Sequence, residues 1–169
     1  MSVSIYQASV PVFTQTLTAL SNILKKAAAH AEAKKIDPSV FITARLAPDM
    51  HPLSRQIQIA SDQAKGAAAR LAGVEIPSFP DTETTFDDLQ ARITKTLDFI
   101  KSLKPAQFEG AATRTVTMKV GGQDMSFPGS TYLFHFTYPN FFFHATTAYD
   151  ILRHNGLEIG KRDFIGPVA

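Results

Sequence analysis

Apolar residues recur every three or four positions in three separate stretches of this chain, a period that fits helices and excludes strands. The first stretch runs from about Ser4 to Lys35 and carries Val10, Phe13, Leu17, Leu20, Ile23, Leu24 and Ala27 along one face. Pro11 falls near its start, where the helix is expected to begin or to bend. The second opens at Pro52 and runs to Ala72, with Leu53, Ile57, Ala60, Ala64, Ala67 and Leu71 as its stripe and Gly73 suited to the position just past its end. Its small residues let a neighbouring helix approach closely. The third starts at Thr85, an N-cap residue, with Asp87 and Asp88 in the first turn, where the helix dipole favours negative charge. Leu89, Ile93, Leu97 and Ile100 form its inner stripe, and Pro105 stops it.

A fourth stretch, Ser130 to Asn155, has helical length but is aromatic on nearly every side: Phe134, Phe136, Tyr138, Phe141, Phe142 and Phe143. Such a helix is either wholly buried or turns one face to a second subunit, because a patch of that size is costly when exposed. A homodimer with this helix in its interface is therefore expected. Ser130 reads as the cap, Gly156 as the stop, and Pro139 as a kink that removes a donor and crowds the carbonyl of His135. Just before this helix the period drops to two. Arg114 to Val120 alternates, Gly121-Gly122 reads as a turn, and Gln123 to Phe127 returns, which predicts a small β-hairpin closed by Pro128-Gly129. Asp37-Pro38 predicts a short helical turn through Ile42, and the tail from Leu157 reads as irregular, with Ile159, Phe164 and Ile165 folding back. The fold class is all-α: one domain of 169 residues, a four-helix bundle with a small β-hairpin before the last helix.

Composition narrows the partners. Seventeen basic residues against 15 acidic give a net charge of +2, which gives no reason to expect a nucleic-acid partner. There is no cysteine, so disulfides, thiolate metal sites and a cysteine nucleophile are excluded. No run reaches the ~18 apolar residues that span a bilayer, and the first residues lack a secretory pattern. The expectation is a cytoplasmic protein with no membrane and no nucleic-acid partner.

Chemistry concentrates in the fourth helix. Asn140 and His144 are four residues apart, just over one turn, so the two stack on one side of a helix otherwise full of phenylalanine. Polar groups buried there need partners: each other, a neighbouring side chain, a metal or a ligand. Thr137 and Thr147 project near the same face, either completing a polar pocket or bonding back to the helix. His135, nine residues before His144, points elsewhere and does not converge with it. His51 lies just ahead of the second long helix, exposed or at the mouth of a pocket. His30, in an alanine-rich stretch with basic neighbours, is expected to face water.

Leu152-Arg153-His154-Asn155-Gly156, eight residues past His144, resembles the helix ending of DinB/YfiT-like proteins, many of which carry His-x-x-x-His in the last helix. More narrowly, Pro52-Leu53-Ser54-Arg55-Gln56, the Pro139-Asn140 to His144 segment and Ile159 to Phe164 resemble a bacterial and fungal branch of that superfamily, a domain of unknown function. The resemblance covers nearly the whole chain and implies a DinB/YfiT-like four-helix bundle. It also implies a divalent metal, zinc or nickel, held by three histidines, one on the second helix and two on the last. Here the set is incomplete. Asn140 stands where the first histidine of the pair would be, and an amide oxygen is a poor zinc ligand beside imidazole. The second helix has no histidine in its middle, which leaves Gln56, Ser61 and Asp62 as candidates for that place. His144 and His51 are the only histidines placed to serve a metal, and no complete metal site is expected.

Two functions remain open from the sequence. One is a small-molecule-binding protein or degenerate metal-dependent enzyme with a pocket near His144. There His144 would be ligand or general base, and Asn140, Gln56 and Thr147 would contact the bound molecule. The other is a non-catalytic structural or binding homodimer in which Asn140 and His144 form a buried packing pair.

Overall fold

The computed structural model describes residues 3–167. Four long helices carry the fold: α1 (Ile5–Lys34), α3 (Leu53–Ala72), α4 (Phe86–Ser102) and α6 (Tyr138–His154). The short helices α2 (Pro38–Ile42), α5 (Gly129–Thr131) and α7 (Lys161–Ile165) connect or close them. The apolar faces of the long helices meet in one cluster, in which Phe13, Leu17, Leu53, Ala60, Ala64, Leu89, Ile93, Phe141 and Ile151 are fully buried. Helix α3 lies at the centre, packed on α6, α4 and α1, and alanine at 60, 64, 67 and 68 keeps its surface low. No helix among the described residues is long and apolar enough to cross a membrane.

Local chemistry accounts for most of the boundaries. Ser4 and Gln7 form a capping box that starts α1 six residues before Pro11, so Pro11 neither begins nor ends the helix and sits on its exposed side. Asp37 accepts from the Ser39 amide at 2.9 Å and starts α2 as the sequence predicts. Thr85 and Asp88 cap each other's backbone at the head of α4. Gly73 caps the far end of α3 in the left-handed region. Two expectations fail locally. His30 is half-buried against the Phe41 ring at 5.9 Å, not turned to water. The tail is not wholly irregular: Lys161 to Ile165 is helical and packs on α1, fastened by Lys26 to Asp163 at 2.6 Å and Gln15 Nε2 to the Ile165 carbonyl at 2.9 Å.

The hairpin pairs β1 (Thr115–Val120) with β2 (Gln123–Pro128), antiparallel, with Val120 opposite Gln123. Gly121 and Gly122 both have positive φ, 57° and 84°, which is the two-residue turn that suits strand twist. Val116 and Phe127 face each other at its base, where Phe127 joins an aromatic cluster with Tyr132 and Phe136.

The approach to α6 departs from the sequence reading. Ser130 does not cap this helix; its amide donates to the Ala112 carbonyl at 2.9 Å, and α5 begins at Gly129. Residues Tyr132–Thr137 then form a π-helical segment before Pro139 enters the first turn of α6. A wider turn ahead of a proline accommodates the ring and the missing N–H without ending the chain's helical course. Phe134 and Phe143 emerge exposed, Phe136, Tyr138 and Phe142 half-buried and Phe141 fully buried, so the aromatic run is neither wholly inside nor wholly outside.

A buried cation fastens the loop between α3 and α4. Arg92, 2% exposed, pairs with Glu83 and Asp81 of that loop at 2.9 Å each and with Asp62 of α3 at 3.0 Å. Arg55 also pairs with Asp81, and Gln58 donates to Glu83 at 2.8 Å.

Gly129 marks the tightest contact on the path to the last helix. A Cβ there would lie 1.9 Å from the Ala111 carbonyl oxygen and 3.2 Å from Leu71. Forcing a side chain into such a space shifts backbone, at about 1–3 kcal/mol. Gly129→Ala is expected to lower unfolding free energy by about 2 kcal/mol or more in urea titration, and an unchanged midpoint would show that α5 is not held against Ala111.

Candidate functional site

Helices α3 and α6 run side by side, and one polar contact crosses between their side chains in the buried layer. His144 is 8% exposed, on the inner face of α6 with Phe141, Ala145 and Ala148. Its Nδ1 lies 2.7 Å from Oε1 of Gln56, which is buried on the first turns of α3. The other end of the same amide donates to the His51 carbonyl at 3.0 Å. That second bond fixes which end of the amide is nitrogen. Oε1 can then only accept, so Nδ1 carries the proton and Nε2 of the neutral ring holds the lone pair.

Burial enforces the neutral form. Desolvation pushes the His144 imidazole down from its ordinary 6.5 to about 4, and the nearby positive charges of His51 and Arg55 add to the effect. Among the described residues, the sealed polar side-chain atoms without a partner are Thr14 Oγ1, Ser61 Oγ, Arg92 Nε and Thr137 Oγ1. Nε2 of His144 is not one of them, and no protein group bonds to it, so it keeps access to solvent. Phe143 stands edge-on to the imidazole, ring centroids 5.2 Å apart. Phe143 also lines a groove of about 460 Å³ with Leu46, Met50, Phe142, Thr147 and Asp150.

The residues singled out in the sequence divide here. Gln56 and His144 are brought together across 88 positions of chain. Asn140 is not their partner: it is half-buried and makes no hydrogen bond to His144. Four residues advance a helix by about 400°, which leaves Asn140 about 40° off the line of His144, at the edge of the buried face and not in its middle. Thr147 is buried, but its hydroxyl donates to the Phe143 carbonyl at 2.7 Å, one turn back along its own helix. His51 is exposed and contributes its backbone carbonyl, not its imidazole, to the pair. His135 is exposed and away from the pair. Of the other candidates on α3, Asp62 turns to Lys65 and Arg92, and Ser61 is buried without a partner. Sequence reasoning passed over Arg92 entirely. The available signal was its place one turn past Leu89, on the face the α4 stripe predicts to be buried.

The family model for a domain of unknown function, DUF1993, matches residues 5–165. The chain belongs to the DUF1993 family. It is also similar to a solved structure, the crystal structure of a DinB family member protein from Shewanella denitrificans, with 40% identity and a TM-score of 0.91, covering 97% of this chain and 93% of that one. At that identity and coverage the relation extends past shared architecture, and the DUF1993 chain is a DinB family member with the hairpin inserted before its last long helix. No curated protein matches the sequence.

The three-histidine metal site that the superfamily resemblance implies does not fit the DUF1993 residues present. Among the described residues no group of three His, Cys, Asp or Glu side chains is placed to hold one ion. The α3 position facing His144 is an amide, and that amide occupies Nδ1. What the arrangement can do is hold one neutral imidazole in a single tautomer, with no protein group bonded to Nε2.

The depressed His144 pKa ties stability to pH. Between about 6.5 and 4 the unfolded chain takes up a proton that the folded chain refuses, so stability present above pH 6.5 is lost as pH falls toward 4. The shift corresponds to about 3 kcal/mol. Urea unfolding of wild type and His144→Phe at pH 7 and pH 4 measures this: the gap between the two proteins is expected to move by about that amount in favour of the variant at low pH. A gap independent of pH would mean that the imidazole is not held neutral.

Proposed function

We infer that this DUF1993 protein binds a small, largely apolar molecule carrying a hydrogen-bond donor, with Nε2 of His144 as the acceptor. The observation that carries the reading is the 2.7 Å contact from Nδ1 to Gln56, which orients a neutral ring and leaves its other nitrogen open. The neighbouring groove, which reaches the imidazole only through Phe143, supports an apolar body for the ligand, between Phe142 and Phe143 of α6 and Leu46 and Met50 of the segment that leads into α3. Alcohols, phenols and thiols have the required donor. An imidazole whose conjugate acid lies at about 4 accepts a hydrogen bond at neutral pH far more readily than it accepts a proton. Binding therefore ranks ahead of general-base catalysis by His144, and ahead of a degenerate zinc or nickel enzyme, for which the ligand set is short.

Imidazole nitrogen spectra test this directly. At pH 7 His144 is expected as the neutral Nδ1-protonated tautomer, and titration with phenol or 2-mercaptoethanol is expected to move Nε2 together with the amides of Phe143 and Thr147. His144→Phe should abolish the response while keeping the fold. Added zinc or nickel should not bind stoichiometrically through His144. If no probe moves Nε2, and His144→Phe changes only the melting temperature, the imidazole is a packing residue and the binding reading falls. Stoichiometric zinc or nickel lost on His144→Phe would overturn it in favour of a metal site.

A second reading, a homodimer, rests on a different observation. Phe134, Tyr138 and Phe142 stack edge-to-face in 5.6 Å steps from the π-helical segment into α6, and Phe134 remains 44% exposed. A two-fold dimer sets the same patch of each copy against the other, and an exposed aromatic stripe is suited to that. Sedimentation should then show a dimer that Phe134→Glu converts to monomer; a monomeric wild type removes this reading without touching the first.

A further inference from the structure

Gly66 lies in the middle of α3, where glycine is the poorest ordinary helix former. The space its missing Cβ would fill is taken by a cation. Nη1 of Arg70 sits 2.7 Å from that position. The guanidinium is thereby laid along the helix, donating from Nη1 to the Tyr132 hydroxyl at 3.2 Å, with its carbon 6.0 Å from the Tyr132 ring centroid. Packing against Tyr132 alone does not call for the glycine, because the end of an arginine swings aside easily. Holding the guanidinium in this one place does.

The charges around Arg70 sharpen the point. Lys65 pairs with Asp62 at 2.8 Å, Arg92 with Asp62, Asp81 and Glu83, and Arg55 with Asp81. Those three cations are matched by three carboxylates. Arg70 has no carboxylate within ion-pair distance among the described residues, and its only protein acceptor there is Tyr132. It lines a cleft of about 320 Å³ with Lys65, Gly66, Pro77, Ser78, Phe79 and one carboxylate, Asp62, whose charge Lys65 and Arg92 already neutralise. Lys65 is only 5% exposed, and its ammonium stands 4.1 Å over the Phe79 ring. The cleft thus combines a positioned guanidinium with unused donors, a second cation already fixed by its own partners, a hydroxyl and an aromatic wall. Guanidinium donors match the geometry of carboxylate and phosphate oxygens.

We propose that the cleft between α3 and the loop at Pro77 to Phe79 binds a small oxyanion, a carboxylate or phosphate group, through Arg70 laid across Gly66. The site is separate from Gln56 and His144 and does not depend on their function. Amide NMR titrations with inorganic phosphate and, in a second arm, with benzoate distinguish the two oxyanions. At low ionic strength one or both is expected to give saturable shifts at Gly66, Arg70 and Ser78. Arg70→Gln is expected to weaken binding roughly tenfold. Gly66→Ala keeps the charge and improves helix propensity, so it should hold or raise the melting temperature while still weakening binding several-fold, a combination that a purely structural Arg70 does not produce. His144→Phe should leave these titrations unchanged. Absence of saturable shifts with either probe, or shifts indifferent to both Arg70→Gln and Gly66→Ala, overturns the proposal.

Discussion

Alanine along α3 removes the side-chain bulk that would hold a neighbouring helix away, and the rest of the molecule is arranged around that thin central rod. Helix α6 packs on it more extensively than any other pair of helices meets. Gln56 and His144 exist as a unit because of this packing. No local pattern pairs the two, and each would be an unsatisfied polar group in an apolar layer if the two helices slid by one turn. An unpaired amide and an unpaired imidazole would each cost on the order of 1–3 kcal/mol, so the contact also disfavours slipped registers of the bundle.

The same contact has a chemical consequence. Burial holds the imidazole neutral, the Gln56 carbonyl oxygen selects the tautomer, and the His51 carbonyl selects the orientation of Gln56. Each step is ordinary hydrogen-bond chemistry, yet together they leave one ring nitrogen, Nε2, with its lone pair and no protein donor. The superfamily's three-histidine arrangement and this one differ at the α3 position and at Asn140. Those substitutions change what the site can hold, while the backbone stays within the same fold as the Shewanella denitrificans relative.

Polar groups also organise the other side of α3. Arg92 reaches from α4 across to Asp62 and into the loop at Asp81 and Glu83, so a segment with little apolar surface is fastened by charge. A buried cation with three carboxylates is strongly destabilised by loss of its partners. This cluster and the Gln56–His144 pair lie along the same helix, joined by Arg55, which pairs with Asp81 and lies close enough to bias the His144 proton.

Residue periodicity, the Thr85 cap, Gly73 and the Gly121-Gly122 turn determined the helices, their ends and the hairpin, because those features arise from interactions within a few residues. The depth of His144 was legible for the same reason: it sits on the apolar face of its own helix. Its partner was legible only as one of three candidates on the second long helix, Gln56, Ser61 and Asp62, and only through the family resemblance. Asn140 was adjacent in the local geometry, but a helix turns about 40° past a full circle in four residues, and tertiary packing placed Asn140 at the rim and brought Gln56 to the ring from 88 positions away. The π-helical entry to α6, the role of Gly129 against Ala111 and the burial of Arg92 were likewise decided only when helices met, since each depends on the distance between elements and no local pattern encodes that distance.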